Sequence, residues 1–362
     1  MAGLREYKCP SCGGSIEWNT SLQKLKCPYC DTEFNQSVLQ SYEEDLMEDT
    51  EDEMEWEEKP QTQWQVGETD DIRVFSCESC GGEIIGDKDI GATSCPYCGN
   101  AVVLPSAFKG DLRPDYIIPF KLDKNAAKEG LKKHLRGKRL LPRIFTNENH
   151  IDEIKGIYVP FWLFDAEADA HARFHATSSN SWMDAKYTCT ETRHFSLSRN
   201  GRIKFEHVAI DGSSKMDDAM MESIEPFDFQ DAVPFRTGYL AGFMADCYDV
   251  TADQSIGRAN ERIRKSTEQI LKDSVSGYET ARPESMSIHL RNSKATYALY
   301  PIWLLNTTWK GKVYTFAMNG QTGKFIGDLP VDEGAAGRMF GAISVGVAAA
   351  VFGISYLLWW IM

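Results

Sequence analysis

The sequence predicts an α+β chain with two small four-cysteine modules, a mixed α/β core domain and one membrane-length apolar segment. Three observations predict it. Eight of the ten cysteines fall into two matched sets of C-x2-C hooks. Between residues 111 and 330, stretches of helical period alternate with stretches of period two. Residues 339–362 run 24 positions without a charge. At 362 residues, 42% hydrophobic and 25% charged, the chain has ordinary globular composition and room for two or three domains.

The first module, residues 1–36, carries Cys9, Cys12, Cys27 and Cys30, and the second, residues 72–104, carries Cys77, Cys80, Cys95 and Cys98. Each reads C-x2-C, fourteen residues, C-x2-C, and the second repeats the first at an offset of 68. The surroundings match too: Cys9-Pro10-Ser11-Cys12-Gly13-Gly14 resembles Cys77-Glu78-Ser79-Cys80-Gly81-Gly82, and Cys27-Pro28-Tyr29-Cys30 matches Cys95-Pro96-Tyr97-Cys98. Two hooks supply four thiolates, the donor set of a closed tetrahedral zinc site. The prediction is two zinc ribbons holding two structural Zn2+ ions, with no coordination position left for a substrate. Glycine after a hook permits the positive φ that closes the turn. Asp31 stands where the second module has Gly99, a residue that tolerates the left-handed region better than most. A disulfide framework fits a secreted chain, and no signal-like segment opens this one. A redox C-x2-C needs only one hook.

Residues 37–71 read as a disordered acidic linker. Positions 43–59 hold eleven acids and one lysine, most of the formal charge of −14. Met47, Met54, Trp56 and Trp64 interrupt the acids, which leaves a solvated spacer or a docking segment that orders on a basic surface. The linker makes the two ribbons tethered but independent. In the core, residues 111–330, Ala127, Leu131 and Leu135 mark a helix over 124–136 whose other faces are basic. Residues 121–143 carry nine Lys or Arg against two acids, which suits anionic headgroups, the acidic linker or plain solvent. Tyr158 to Phe164 opens an alternating strand. Asn200-Gly201 predicts a hairpin between strands 186–198 and 202–210. Thr251 with Gln254 is a capping-box pattern that opens a helix to about Lys272. Tyr297 to Trp309 then opens further strands, with turns at Lys310-Gly311 and Asn319-Gly320. Pro160-Phe161-Trp162-Leu163 parallels Pro301-Ile302-Trp303-Leu304, and each follows a helix. This predicts an internal duplication, with both tryptophans in the core.

Residues 331–338 read as a short linker and 339–362 as a transmembrane helix. Tyr356, Trp359 and Trp360 stand where amphipathic rings favour the headgroup zone. With one span at the C-terminus and cysteines that need a reducing compartment, the expected topology is a tail-anchored, single-pass protein of the cell membrane with its bulk in the cytoplasm.

No catalytic constellation stands out. Gly320-Gln321-Thr322-Gly323-Lys324 is too short for a phosphate-binding loop, which excludes a P-loop motor, and neither G-x-S-x-G nor H-E-x-x-H occurs. His171 and His175 are four apart in a strand-like stretch, a poor spacing for a metal. Cys247 reads as a packed thiol. The first ribbon has four basic and four acidic side chains, a weak footprint for phosphate backbones.

The twin Cys-Pro-x-Cys ribbons, the segments Tyr116-Ile117-Ile118-Pro119-Phe120 and Tyr158-Val159-Pro160-Phe161-Trp162, and the C-terminal span together resemble bacterial TFIIB-type zinc-ribbon membrane proteins. These are similar to the ribbon component of phage-shock-type envelope-stress operons. The resemblance covers nearly the whole chain. It implies a non-enzymatic adaptor that acts with a membrane protein partner and recruits cytosolic proteins to the bilayer. A replication-restart helicase has similar hooks, but this chain lacks the motor. The alternative function is a nucleic-acid-binding ribbon protein of transcription or replication, and the ribbon charge counts against it.

Overall fold

The computed structural model describes residues 8–39, 52–65, 67–69, 72–87, 95–100, 105–106, 112–138, 140–147, 151, 153–184 and 186–361. The described chain is a mixed α+β protein in two compact units. The first takes in Met1–Lys59, Phe164–Val208 and Ile256–Ala295; the second takes in Pro60–Leu163, Ala209–Ser255 and Thr296–Met362. The single core expected over 111–330 is therefore divided. The cause lies in its strands. Lys155–Asp184 and Thr280–Trp309 are each 30 residues long, and Tyr187–Asp211 is 25. Each passes from one environment into another.

In the second unit the strands are buried on both faces, as a near-continuous apolar run requires. Ile157, Val159, Phe161 and Leu163 share one face with Ala298, Tyr300, Ile302 and Leu304, against the short helix α2, Asp218–Ile224. Trp303 and Leu305 face the other way with Phe316 and Met318, under helix α1, Lys124–Leu135. Asp123 caps α1, accepting from the Ala126 N–H, and Ala127, Leu131 and Leu135 are its buried stripe. The sheet runs in the order Val233–Pro234, Tyr116–Ile117, Thr280–Trp309, Lys155–Asp184, Met244–Asp246, Glu83–Asp87, Ile72–Ser76, Pro105–Ser106. Lys310 and Gly311, both at positive φ, turn Thr280–Trp309 into its antiparallel partner Lys312–Asn319.

Two sets of bonds in this unit mirror each other. Trp162 Nε1 donates to the Val250 carbonyl at 2.8 Å, and Trp303 Nε1 donates to the Leu122 carbonyl at 3.0 Å. Val250 and Leu122 each stand two residues before a helix. The Gly212 and Gly320 N–H groups donate to Pro160 and Pro301, both at 2.8 Å. Asp249 and Val250 donate back to Gly212, as Lys121 and Leu122 do to Gly320. Tyr116–Ile117 pairs in parallel with Ala298–Leu299, and Met244–Ala245 with Ile157–Tyr158. Thus each half supplies a short strand and a helix entry to the long strand of the other.

In the first unit the strands alternate, which keeps one face apolar. Ala166, Ala168, Ala170, Ala172, Phe174 and Ala176 are buried. Asp165 and Asp169 point the other way, and Arg202 and Arg291 converge on Asp169 at 2.7 and 2.8 Å. Helix α3, Ala252–Asp273, buries Ala259, Ile263 and Leu271. Its start carries the predicted box: the Thr251 N–H donates to Gln254 Oε1 at 2.8 Å, and the Gln254 N–H donates to Thr251 Oγ1 at 3.3 Å.

Three expectations are corrected. Asn200-Gly201 is no hairpin turn. Neither residue takes the positive φ that a two-residue turn needs, and both lie inside Tyr187–Asp211. Pairing with Lys155–Asp184 overrides the local signal. The linker 37–71 is not free along its length: residues 52–58 are extended and docked, with Trp56 in the core, while positions 40–51 lie outside the described residues. The linker 331–338 is mostly helical, because helix α4 spans Glu333–Ile361.

At Gly320 an added Cβ would meet the Phe120 ring at 2.6 Å and the Pro301 carbonyl at 2.9 Å. Gly320→Ala is expected to destabilise by about 1–3 kcal/mol through overpacking, read as a drop of several degrees in melting temperature. Gly257→Ala, on the exposed side of α3 with open space around it, is expected to hold or raise it.

Candidate metal centres

The first ribbon forms its own three-stranded sheet, with Lys24–Lys26 between Glu17–Asn19 and Glu33–Phe34. Its hooks are two tight turns. The Cys9 N–H donates to Gly14 at 2.7 Å and Gly13 donates to Cys9 at 2.8 Å; Cys27 donates to Thr32 at 3.0 Å and Asp31 to Cys27 at 2.9 Å. The second ribbon repeats the pattern at Cys77/Gly82, Gly81/Cys77, Cys95/Asn100 and Gly99/Cys95. The residue closing each turn has positive φ: Gly13 74°, Asp31 59°, Gly81 70° and Gly99 75°. Asp31 therefore does the glycine's work.

These turns bring Cys9, Cys12, Cys27 and Cys30 together, and likewise Cys77, Cys80, Cys95 and Cys98, with all sulfurs of a set within 4.8 Å. Cross-hook Sγ···Sγ distances are 3.6 Å for Cys9–Cys30, 3.4 Å for Cys12–Cys27, 3.5 Å for Cys77–Cys98 and 3.7 Å for Cys80–Cys95. A disulfide needs about 2.05 Å. Four bonds of about 2.3 Å at tetrahedral angles place sulfurs about 3.8 Å apart. Both sets fit a metal ion with an all-thiolate shell. Burial pushes the Cys77 thiol up, but the Cys80 and Ser79 N–H groups outweigh it and bring it down to about 7. At Cys30 burial is likewise outweighed, here by the Thr32 hydroxyl and N–H, to about 6. Cys9, Cys80 and Cys95 go the other way, with burial as the largest cause, and so does Cys12, where the neighbouring cysteines outweigh the Gly14 N–H.

Over 352 residues the chain is 30% identical to a Bacillus subtilis (strain 168) relative described as "Uncharacterized protein YdjG", covering 97% of this chain and 98% of the relative. The chain belongs to the YdjG family. No family model matches, and no solved structure matches.

The two ribbons of this YdjG-family chain differ in their surroundings. The second is not independent, as the linker had suggested, but part of the core sheet. Glu83–Asp87 pairs with Met244–Asp246, placing Ile84 opposite Asp246 and Ile85 opposite Ala245. Asn306 Nδ2 donates to the Pro96 and Tyr97 carbonyls of the hook, both at 2.5 Å. Tyr97 is half-buried with its hydroxyl enclosed. Burial and then the charge of Asp246 raise that hydroxyl's pKa. Asp246 is itself buried and accepts from Ser213 Oγ at 2.5 Å. Burial holds its carboxyl up at about 7. The neighbouring Cys247 thiol is pushed up by burial too, in keeping with a packed thiol. Sequence reasoning missed Asp246 and Ser213, because nothing local distinguishes a buried carboxylate from a surface one.

In the first ribbon Tyr29 holds the position of Tyr97, and both rings lie against a glycine. A Cβ on Gly14 would meet Tyr29 at 2.5 Å, and one on Gly82 would meet Tyr97 at 3.2 Å. Yet Tyr29 is 76% exposed. His175 Nε2 stands 3.1 Å from His194 Nδ1. Among the described residues only the two cysteine sets gather three or more metal ligands, so His171 and His175 do not join one. Helix α4 is the described helix long and apolar enough to cross a membrane, by length and composition: Glu333–Trp360 spans 28 residues, and its most apolar 18 residues have a mean hydropathy of 2.0.

Cys95→Ser is expected to lower the main thermal transition by several degrees and to remove one metal ion, because the core sheet shares that site. Cys27→Ser is expected to remove one metal ion and leave that transition in place; calorimetry with metal analysis checks both. The folded pKa of Asp246, about 7, lies above the unfolded value of 3.8, so the folded state binds the proton more tightly. Its contribution is present in full below about pH 4 and is lost as pH rises toward 7, roughly 4 kcal/mol across the window. Asp246→Asn is expected to flatten that slope in denaturant titrations run between pH 4 and 8.

Proposed function

We propose that this protein is a zinc-dependent, membrane-anchored adaptor without catalytic activity, in which the first ribbon presents a binding face to cytosolic partners. The observation that carries this reading is the unequal fate of one tyrosine position. In the second ribbon the core takes up the tyrosine tip and the hook carbonyls. In the first, the same ring stands open on a turn of the same geometry. A metal-folded module whose tyrosine stands exposed among the described residues suits a partner.

The closed thiolate sets favour Zn2+, and such thiolates need a reducing compartment. That supports placing the ribbons on the cytosolic side, with α4 as the anchor. Glu333–Ile361 is 29 residues, about 43 Å of helix, against a hydrocarbon core of about 30 Å. The reciprocal bonds of the second unit support reading the core as a divergent duplication. The family resemblance suggests envelope stress as the setting and a second membrane protein as the standing partner.

Proximity labelling from the full chain in its native host tests the reading. The expected result is recovery of membrane-associated stress proteins, at least fivefold reduced by Tyr29→Ala, with two zinc ions still bound and α4-dependent membrane fractionation. Recovery of nucleoid proteins instead, insensitive to Tyr29, would turn the assignment toward nucleic-acid binding.

A further inference from the structure

Residues 52–58, Asp-Glu-Met-Glu-Trp-Glu-Glu, lie in the first unit as an extended segment parallel to Thr280–Trp309. Backbone pairing touches at two points only. The Glu53 N–H donates to Ile288 at 2.9 Å and its carbonyl accepts from Leu290 at 3.0 Å; the Glu58 N–H donates to Ser293 at 3.0 Å and its carbonyl accepts from Ala295 at 2.9 Å. Between these points the host strand breaks step at Asn292, whose φ is 50°. Host side chains take over the guest backbone there. Ser293 Oγ, fully buried, accepts from the Glu57 N–H at 3.0 Å and donates to the Glu55 carbonyl at 2.9 Å. Asn260 Nδ2, on α3, donates to the Met54 carbonyl at 3.1 Å.

One guest side chain is buried. Trp56 packs edge-on against Phe164, ring centroids 4.7 Å apart, and its indole donates to Asn260 Oδ1 at 2.9 Å. The acids stay at the surface, where Arg264 pairs with Asp52 and His289 Nδ1 lies 3.1 Å from Glu53 Oε2.

We propose that this groove, floored by Phe164 and walled by α3 and Thr280–Trp309, is a peptide-recognition site for an extended acidic segment with a single tryptophan anchor on a partner protein, and that residues 52–58 occupy it as a displaceable strap. Backbone hydrogen bonds, one aromatic pocket and a basic wall are the recurring parts of recognition by strand addition. Asn260 and Ser293 spend their polar groups on guest backbone, which any sequence offers, while the tryptophan pocket and Arg264 select the guest. The guest-backbone hydrogen bonds, the Trp56 anchor and screened ion pairs hold the strap against the mutual repulsion of five acids in seven residues, and a competing segment that makes the same contacts releases it without unfolding the unit. As a tethered guest it competes at an effective concentration of order millimolar, which shuts the site until the strap is released. The inference rests on the adaptor reading only in calling the ligand a partner; peptide binding and recruitment through Tyr29 are measured separately and fail separately.

The test uses full-length protein in detergent and a fluorescent synthetic peptide spanning residues 52–58, read by anisotropy. Trp56→Ala is expected to bind the peptide at least tenfold more tightly than the wild type. Adding Arg264→Glu, or replacing tryptophan by alanine in the peptide, is expected to weaken binding at least tenfold. A folded Trp56→Ala that binds no better than the wild type overturns the proposal. Should that variant fail to fold, hydrogen exchange on the wild type decides. Faster exchange at the Glu53 and Glu58 amides with excess peptide supports the strap, and exchange only through global unfolding overturns it.

Discussion

Strand Met244–Asp246 pairs on one side with Lys155–Asp184 and on the other with Glu83–Asp87. These three residues weld the second ribbon to the core sheet. Asp246, at the end of the strand, carries the Ser213 bond and faces the tip of Tyr97. Isolated ribbons fold largely on their metal. This one shares its sheet, its tyrosine and its hook carbonyls with a conventional core, so a metal held there and the core would stabilise each other. The first ribbon has a sheet of its own and, among the described residues, no such strand. One cysteine pattern therefore serves two ends, and the difference comes from what lies beside it.

The second unit is held by exchange between its halves. Trp162 and Trp303 occupy matching strand positions, and each indole closes on the residue just before the helix cap of the other half. Gly212 and Gly320 let the chain approach close enough for those bonds, each with a would-be Cβ at 3.0 Å or less from a neighbour. Buried donors and acceptors are costly unless paired, so this mutual pairing specifies how the two halves lock. It also accounts for two tryptophans that the sequence placed in the core without a visible reason for their Pro-x-Trp spacing.

Much of this was legible in the chain itself. The cysteine spacing led directly to both sulfur sets, because C-x2-C turns have few geometries. Ala127, Leu131 and Leu135 revealed α1, and Thr251 with Gln254 gave the start of α3. What misled were signals whose outcome depends on distant partners. Asn200-Gly201 stays extended because a neighbouring strand pairs across it. The acidic run reads as a spacer by composition, yet Trp56 finds Phe164 and Asn260 more than a hundred residues away. The buried Asp246 and the weld at Met244–Asp246 depend on contacts that no local periodicity encodes.

The central claim is that the two sulfur sets have different reach: the second supports the core, while the first supports only its own module. Residue-resolved hydrogen exchange of the full chain, before and after metal removal by a chelator, tests it most directly. The account predicts that protection falls together at Ile72–Ser76, Glu83–Asp87 and Met244–Asp246, and that around the first ribbon the loss stops within residues 8–39. Loss confined equally to both ribbons, with Met244–Asp246 unchanged, would contradict it.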